Sequence, residues 1–226
     1  MTDFIKQRWI AVAAAAVLVL AVIAYFVVRD DGDKKPAKSV AVVPQLDTGG
    51  LALASLLKSG RTVTYHATYT SKSDAKVSGG TVALEMWNTK GKSRVDTTLT
   101  TPDRKVVHTA SILADGKGVA CRQPPGEKWS CASVPPPAEG DPAGLVESIR
   151  GKLAGRSVTQ RSEKVNGDDA RCFRVSAVAG AEALDVCVDR RGVILRLVSD
   201  EARIEIAKLD TSVPGSVFDP PASPGK

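Results

Sequence analysis

Four cysteines, two histidines and a thin scatter of carboxylates carry most of the reactive chemistry open to this 226-residue chain. Cys121, Cys131, Cys172 and Cys187 are separated by 9, 40 and 14 residues. None of these intervals matches a zinc knuckle or ribbon. Cys121 and Cys131 instead flank a tight turn centred on Gly126, and Cys172 and Cys187 flank a second turn. Of the three pairings that four cysteines allow, the two local ones need the least rearrangement. The chemistry expected is therefore oxidation to two cross-strand disulfides. Each would close a short loop and contribute about 2–3 kcal/mol. They read as staples, not as redox centres, and they ask for an oxidising compartment.

The remaining reactive residues form no catalytic set. His66 and His108 lie 42 positions apart, against the commoner His-rich metal sites. The chain carries no usable nucleophile elbow, zinc-protease helix, phosphate loop, dinucleotide fingerprint or Ser-x-x-Lys pair. His66 falls on the polar side of its strand, and His108 has no nucleophile placed beside it. Glu85 and Asp96 read as structural salt links, and Trp87 and Trp129 as packing residues on strands. The expectation is a protein without catalytic residue, metal or cofactor. A net charge of +6 is spread along the chain with no basic run interleaved with aromatics, so nucleic acid is not an expected partner.

The elements that would hold these residues are mostly strands. Asp47 or Thr48 can cap a short apolar helix over 49–59, with Leu53, Leu56 and Leu57 on one side and Gly60 as its stop. Six strand-like runs follow as a meander, from TVTYHATYT at 62–70 to KWSCAS at 128–133. Period-two alternation puts Val63, Tyr65, Ala67 and Tyr69 on one face. It does the same for Val82, Leu84 and Met86, and for Val95, Thr97 and Leu99. Asp141-Pro142 then opens an amphipathic helix over 142–154, with Leu145, Val146, Ile149 and Leu153 as its stripe. Five more strand-like runs close the chain at about 157–165, 169–178, 181–189, 192–199 and 202–209.

Two registers can be tested on paper. If Cys172 faces Cys187, Arg174 faces Asp185, Phe173 meets Val186 and Val175 meets Leu184. In the last hairpin Arg196 faces Glu205, Leu197 faces Ile204 and Leu195 faces Ile206. A slip of one residue ruins either set.

Ahead of this domain, Ile10 to Val28 contains neither charge nor proline. Nineteen helical residues reach about 28 Å, close to the ~30 Å of bilayer hydrocarbon. The far end, AYFVVRDD, lacks a small-residue cleavage site, and no cysteine follows for lipid attachment. An uncleaved signal anchor is expected. Basic residues flank both ends, and their bare count favours the C-terminal side inside; the cysteine pattern decides for residues 29–226 outside the cytoplasm. The expected layout is a cytoplasmic tail 1–9, an anchor 10–28, a linker 29–46, a folded domain 47–220 and a tail 221–226. Phe218 is the side chain expected to dock from the chain end.

The order of a short helix, a meander opening TVTYHATYT, then GGTVALEMWNTKGKSRVD, an EKWSC hairpin, a mid-chain helix and five closing strands resembles the LolA-like superfamily. The resemblance is closest to actinobacterial LppX/LprG-type envelope lipoproteins and covers roughly 47–220. It implies a mainly β (α+β) fold, a half-open antiparallel barrel of about eleven strands with helices as a lid, here preceded by one membrane helix. It also implies an apolar cavity for acyl chains. The cavity-facing set would be Val63, Tyr65 and Tyr69, then Val82, Leu84 and Met86, then Val95 and Leu99. Leu145 and Ile149 would come from the lid, with Phe173, Val175, Leu184, Val186, Leu195, Leu197, Ile204 and Ile206 from the closing strands. The expected partners are a lipid or lipidated molecule, the cytoplasmic membrane and an envelope protein. Where family members carry a lipobox cysteine, this chain has the apolar helix, which favours hand-over or sensing beside the membrane over shuttling. The alternative reading is an envelope sensing or protein-interaction module with a filled core.

Overall fold

Alternating side chains commit the chain to one curled sheet, whose strands are numbered here in chain order. The computed structural model describes residues 47–72, 80–135, 153, 156–176, 183–199 and 203–225. Helix α1 covers Thr48–Gly60. A meander follows through β1 (Tyr65–Lys72), β2 (Thr81–Thr89), β3 (Lys92–Thr100), β4 (Val106–Ala114), β5 (Lys117–Gln123) and β6 (Ser130–Val134). The second series is β7 (Val158–Val165), β8 (Asp168–Val175), β9 (Leu184–Val188), β10 (Ile194–Val198) and β11 (Arg203–Asp210). A 3₁₀ turn at Gly215–Phe218 and a short β12 (Pro224–Gly225) end the described chain.

The sheet order is β12-β6-β5-β4-β3-β2-β1-β11-β10-β9-β8-β7. β1 joins two wings, since it pairs with β2 on one side and with β11 on the other. Among the described strands only β12 runs parallel to its neighbour, β6. The sequence led us to expect eleven strands and a loose end after residue 220. The structure adds β12, and Phe218 docks as expected, 6% exposed.

Helix α1 is tied to a different wing at each end, through its own cap residue at one and a strand side chain at the other. The Asp47 carboxylate accepts from Gly50 N at 2.7 Å, as a helix cap, and from Val158 N of β7 at 2.7 Å. At the other end Asn88 of β2 donates its amide to the carbonyls of Arg61 (3.0 Å) and Val63 (2.7 Å), and more distantly Gly60 (3.4 Å). A helix of 13 residues is about 20 Å long. Six flat strand spacings from β2 to β7 would measure about 29 Å. The sheet therefore has to curl around the helix, and its concave side is the side α1 occupies. Gly192 (φ +89°) permits the contact at the helix end: a Cβ there would sit 1.8 Å from Leu56 O.

Where registers were expected, most are observed. Cys172 faces Cys187, Phe173 faces Val186, Val175 faces Leu184 and Arg174 faces Asp185. Arg196 faces Glu205 and Leu197 faces Ile204. Leu195 differs. It lies at the register shift between Ile194 and Arg196, where β10 carries one residue more than β9. It is still fully buried. β1 starts at Tyr65, later than expected, because the hydrogen bonds of Thr62 and Val63 to Ser59 O and Gly60 O close the turn after α1. The helix expected over 142–154 lies outside the described residues except Leu153, which is helical and 2% exposed. The segments expected as cytoplasmic tail, anchor and linker also lie outside them.

Candidate functional site

The concave face is the place where the sequence put a ligand, and its two wings are packed differently. On the wing under α1, Tyr69, Phe173, Val175, Leu184, Val186, Leu195, Leu197, Ile204 and Ile206 are 0–8% exposed. Tyr65 joins them at 8%, and Leu53 and Ala54 press down from the helix. Tyr69 Oη donates to Ile194 O at 2.9 Å. Burial, then the negative Asp189, pushes the Tyr65 phenol up to about 12. Burial, then Tyr65 and Asp189, raises Tyr69 well above its ordinary value. Neither phenol ionises near neutral pH, so both act as packing residues with one polar end.

On the other wing the same face stays half-buried. Cross-strand rows run Met86–Val95–Ser111–Ala120, Leu84–Thr97–Thr109–Arg122 and Val82–Leu99–Val107. Of these, Val82, Met86, Val95, Leu99, Val107 and Thr109 are half-buried, while Ser111, Ala120 and Arg122 are exposed. Leu84 is 4% exposed. Val63, at the turn out of α1, is half-buried too. All of the expected cavity residues in the described segments thus share one face or its margin, but they divide into a sealed group and a strip. Leu145 and Ile149 lie outside the described residues.

Sequence reasoning placed Thr97 on this face yet gave it no role. The residue is 3% exposed, and its hydroxyl has no hydrogen-bond partner among the described residues. A buried hydroxyl without a partner costs on the order of 1–3 kcal/mol. Arg122, at the end of the same row, was also passed over. The signal for both was present in the alternation: a polar residue keeping step with Val95 and Leu99, and an arginine out of step with Cys121.

The convex face carries the charge. Cys172 and Cys187 form one disulfide and Cys121 and Cys131 the other, each between directly opposed strand partners. Ala170, Cys172 and Cys187 are small, so longer side chains meet above them. Arg161 pairs with Asp185 at 2.8 Å, and Arg196 pairs with Glu163. The expected partners differ here: Arg174 is opposite Asp185 but exposed, and Glu205 is held by Arg203 at 2.9 Å. Reach across the low sulfur floor decides the pairing. Partial burial raises the Glu163 carboxyl, but Arg161 and Arg196 outweigh it and hold it below the usual carboxylate range. Glu163 with the two bonded sulfurs is no metal centre, because disulfide sulfur offers no thiolate.

His66 is also a structural residue. Its Nε2 lies 2.6 Å from Glu85, its Nδ1 3.6 Å from Asp210, and its ring stacks on Trp87 at 5.0 Å. Arg94 covers Trp87 at 5.6 Å, grips Asp96 with two nitrogens and donates to Val217 O at 2.7 Å. This ladder fastens the chain end to the convex side. The expected salt link at Asp96 is present, and Glu85 has His66 as its partner. His108 bonds Thr98 at 3.1 Å and tilts against Trp129 at 6.2 Å. An open depression of about 440 Å³ at the β7–β8 hairpin, lined in part by Glu163, Lys164, Asp169, Arg171 and Arg190, lies at the far edge from the strip.

No protein-family model and no curated protein matches this chain. Solved structures similar to it include MucB in complex with MucA(peri), at 14% identity and a TM-score of 0.41, covering 74% of this chain and 57% of that one. Another is LprF from Mycobacterium bovis, at 13% identity and a TM-score of 0.42, covering 79% of this chain and 99% of that one. A third is a β-barrel-like protein of a domain of unknown function from Brucella abortus, at 15% identity and a TM-score of 0.32, covering 68% and 99%. The chain spans less than two thirds of the MucB chains it matches. Likenesses this distant carry no functional argument. Among the described residues no helix is long and apolar enough to cross a membrane.

Proposed function

We propose that this chain is a non-catalytic binding protein that holds the acyl chain of a lipid or lipidated molecule on its concave face. It does so on the outer side of the cytoplasmic membrane, anchored by Ile10–Val28. The observation that carries the reading is the half-buried strip of Val82, Met86, Val95 and Leu99 beside a fully packed wing on the same face. An acyl chain laid there gains about 0.8 kcal/mol per methylene removed from water, without any charge chemistry. The two disulfides support an extracytoplasmic site, since paired cysteines persist in oxidising compartments.

The sealed wing favours the second reading, a sensing or protein-interaction module with a filled core. Native mass spectrometry of the full chain, released from membranes in a bulky detergent, separates the two. The binding reading expects a co-purifying lipid mass and saturable uptake of added palmitate. Absence of both would support the filled module.

A further inference from the structure

We propose that the preferred ligand is an anionic diacyl ester, a glycerophospholipid-like molecule whose phosphate meets Arg122 and whose ester carbonyl accepts from Thr97. This rests on the acyl-ligand reading above and names the chemistry at its polar end. Thr97 Oγ1 is a buried donor without a partner among the described residues, and Thr97 is set between Leu84 on β2 and Thr109 on β4. A hydroxyl so placed wants an acceptor that enters with an apolar molecule, and an ester carbonyl has that character. The next residues in the row are Thr109, a second hydroxyl, and then Arg122. Arg122 is exposed and has no ion-pair partner among the described residues.

Two strand spacings, about 10 Å, separate Thr97 from Arg122. An arginine side chain is long enough to reach back over part of that interval, toward the span of the glycerol unit between a phosphate and its acyl esters. The rows on either side of Thr97 are led by Met86–Val95 and Val82–Leu99, which would flank the carbonyl with apolar surface for two chains. The gradient along one row is thus buried hydroxyl, half-buried hydroxyl, exposed guanidinium. A neutral glyceride would leave the last of these unused.

The test uses the full chain in a bulky detergent, with native mass spectrometry reading competition between dioleoylphosphatidylglycerol and dioleoylglycerol. The wild type should prefer the anionic lipid about tenfold, the order expected for one charged hydrogen bond. Arg122→Gln should abolish that preference while still binding dioleoylglycerol. Thr97→Val should weaken the ester lipid about fivefold relative to its diether analogue, and Thr97→Ser should restore it. Equal binding of the two lipids by the wild type, or a preference that survives Arg122→Gln, would overturn the anionic assignment and leave the acyl reading standing. A Thr97→Val protein with unchanged ester-over-ether discrimination would overturn the role of the hydroxyl. Binding of neither lipid would sink the acyl reading itself.

Discussion

The two wings of the sheet share one concave face and one alternation rule, yet only one of them is fully buried. Strands β8–β11 lie under α1 with their concave-facing apolar side chains from Phe173 to Ile206 at 0–8% exposure, whereas β2 and β3 keep Val82, Met86, Val95 and Leu99 half-buried. The difference does not come from strand propensity, which is similar in both. It comes from the helix, which is tied to β7 through Asp47 and to β2 through Asn88 and so can seal only the arc between them. A second difference is chemical: Thr97, Thr109 and Ser111 interrupt the apolar rows of the strip, while the closing strands present Val, Leu, Ile and Phe.

The sharpest way to break this contrast is a pair of truncations. Phe173→Ala, in the sealed wing, should cost about 4 kcal/mol in urea unfolding. Met86→Ala, in the strip, should cost only about 1 kcal/mol but weaken palmitate binding about fivefold. Equal losses of stability would erase the distinction. Next in size, Gly192→Ala should cost about 3 kcal/mol, because it combines an unfavourable positive φ with a Cβ driven against Leu56 O. A neutral result would mean that the helix end does not dock on the β9–β10 turn.

Asn88→Ala should cost about 2 kcal/mol by leaving the carbonyls at the end of α1 without their donor. Hydrogen exchange would then speed up first at the α1 C-terminus and leave the β7 end protected by Asp47. Uniform exchange across α1 would contradict independent anchoring. The smallest effect concerns pH. Glu163 has a folded pKa held below its unfolded value, so its contribution is present above the unfolded value of about 4.3 and is lost as pH falls through the folded pKa. Glu163→Gln should lower stability slightly near neutrality, converge with the wild type below that acid window and so flatten the pH dependence across it, as read by thermal melting across a pH series.

Element order was legible because each hairpin carries its own local evidence. The cysteine pairs and the Phe173/Val186 and Leu197/Ile204 partners fix register by face alone, so those strands needed no tertiary information. Ion pairing was not legible, because Arg161 reaches Asp185 across a strand and Arg196 reaches Glu163, and that depends on small residues intervening in space. The bulge at Leu195 was hidden for a related reason: a register shift depends on how neighbouring strands coil, which alternation in one strand does not record. Of the candidate site, the face was readable and its division into sealed and half-buried parts was not. That division follows from where Asn88 stops α1, and nothing in the sequence around Asn88 distinguishes it from an ordinary turn residue.

Met86 offers the most direct test, since it is one of only two methionines in the chain and sits in the strip. The full chain, labelled with ¹³C at the methionine methyls and embedded in nanodiscs, would be titrated with palmitate carrying a nitroxide on its chain, the Met86 signal being assigned with Met86→Leu. A lipid-holding strip predicts saturable paramagnetic broadening of the Met86 methyl that excess unlabelled palmitate reverses. A Met86 resonance that keeps its width throughout the titration would contradict the account.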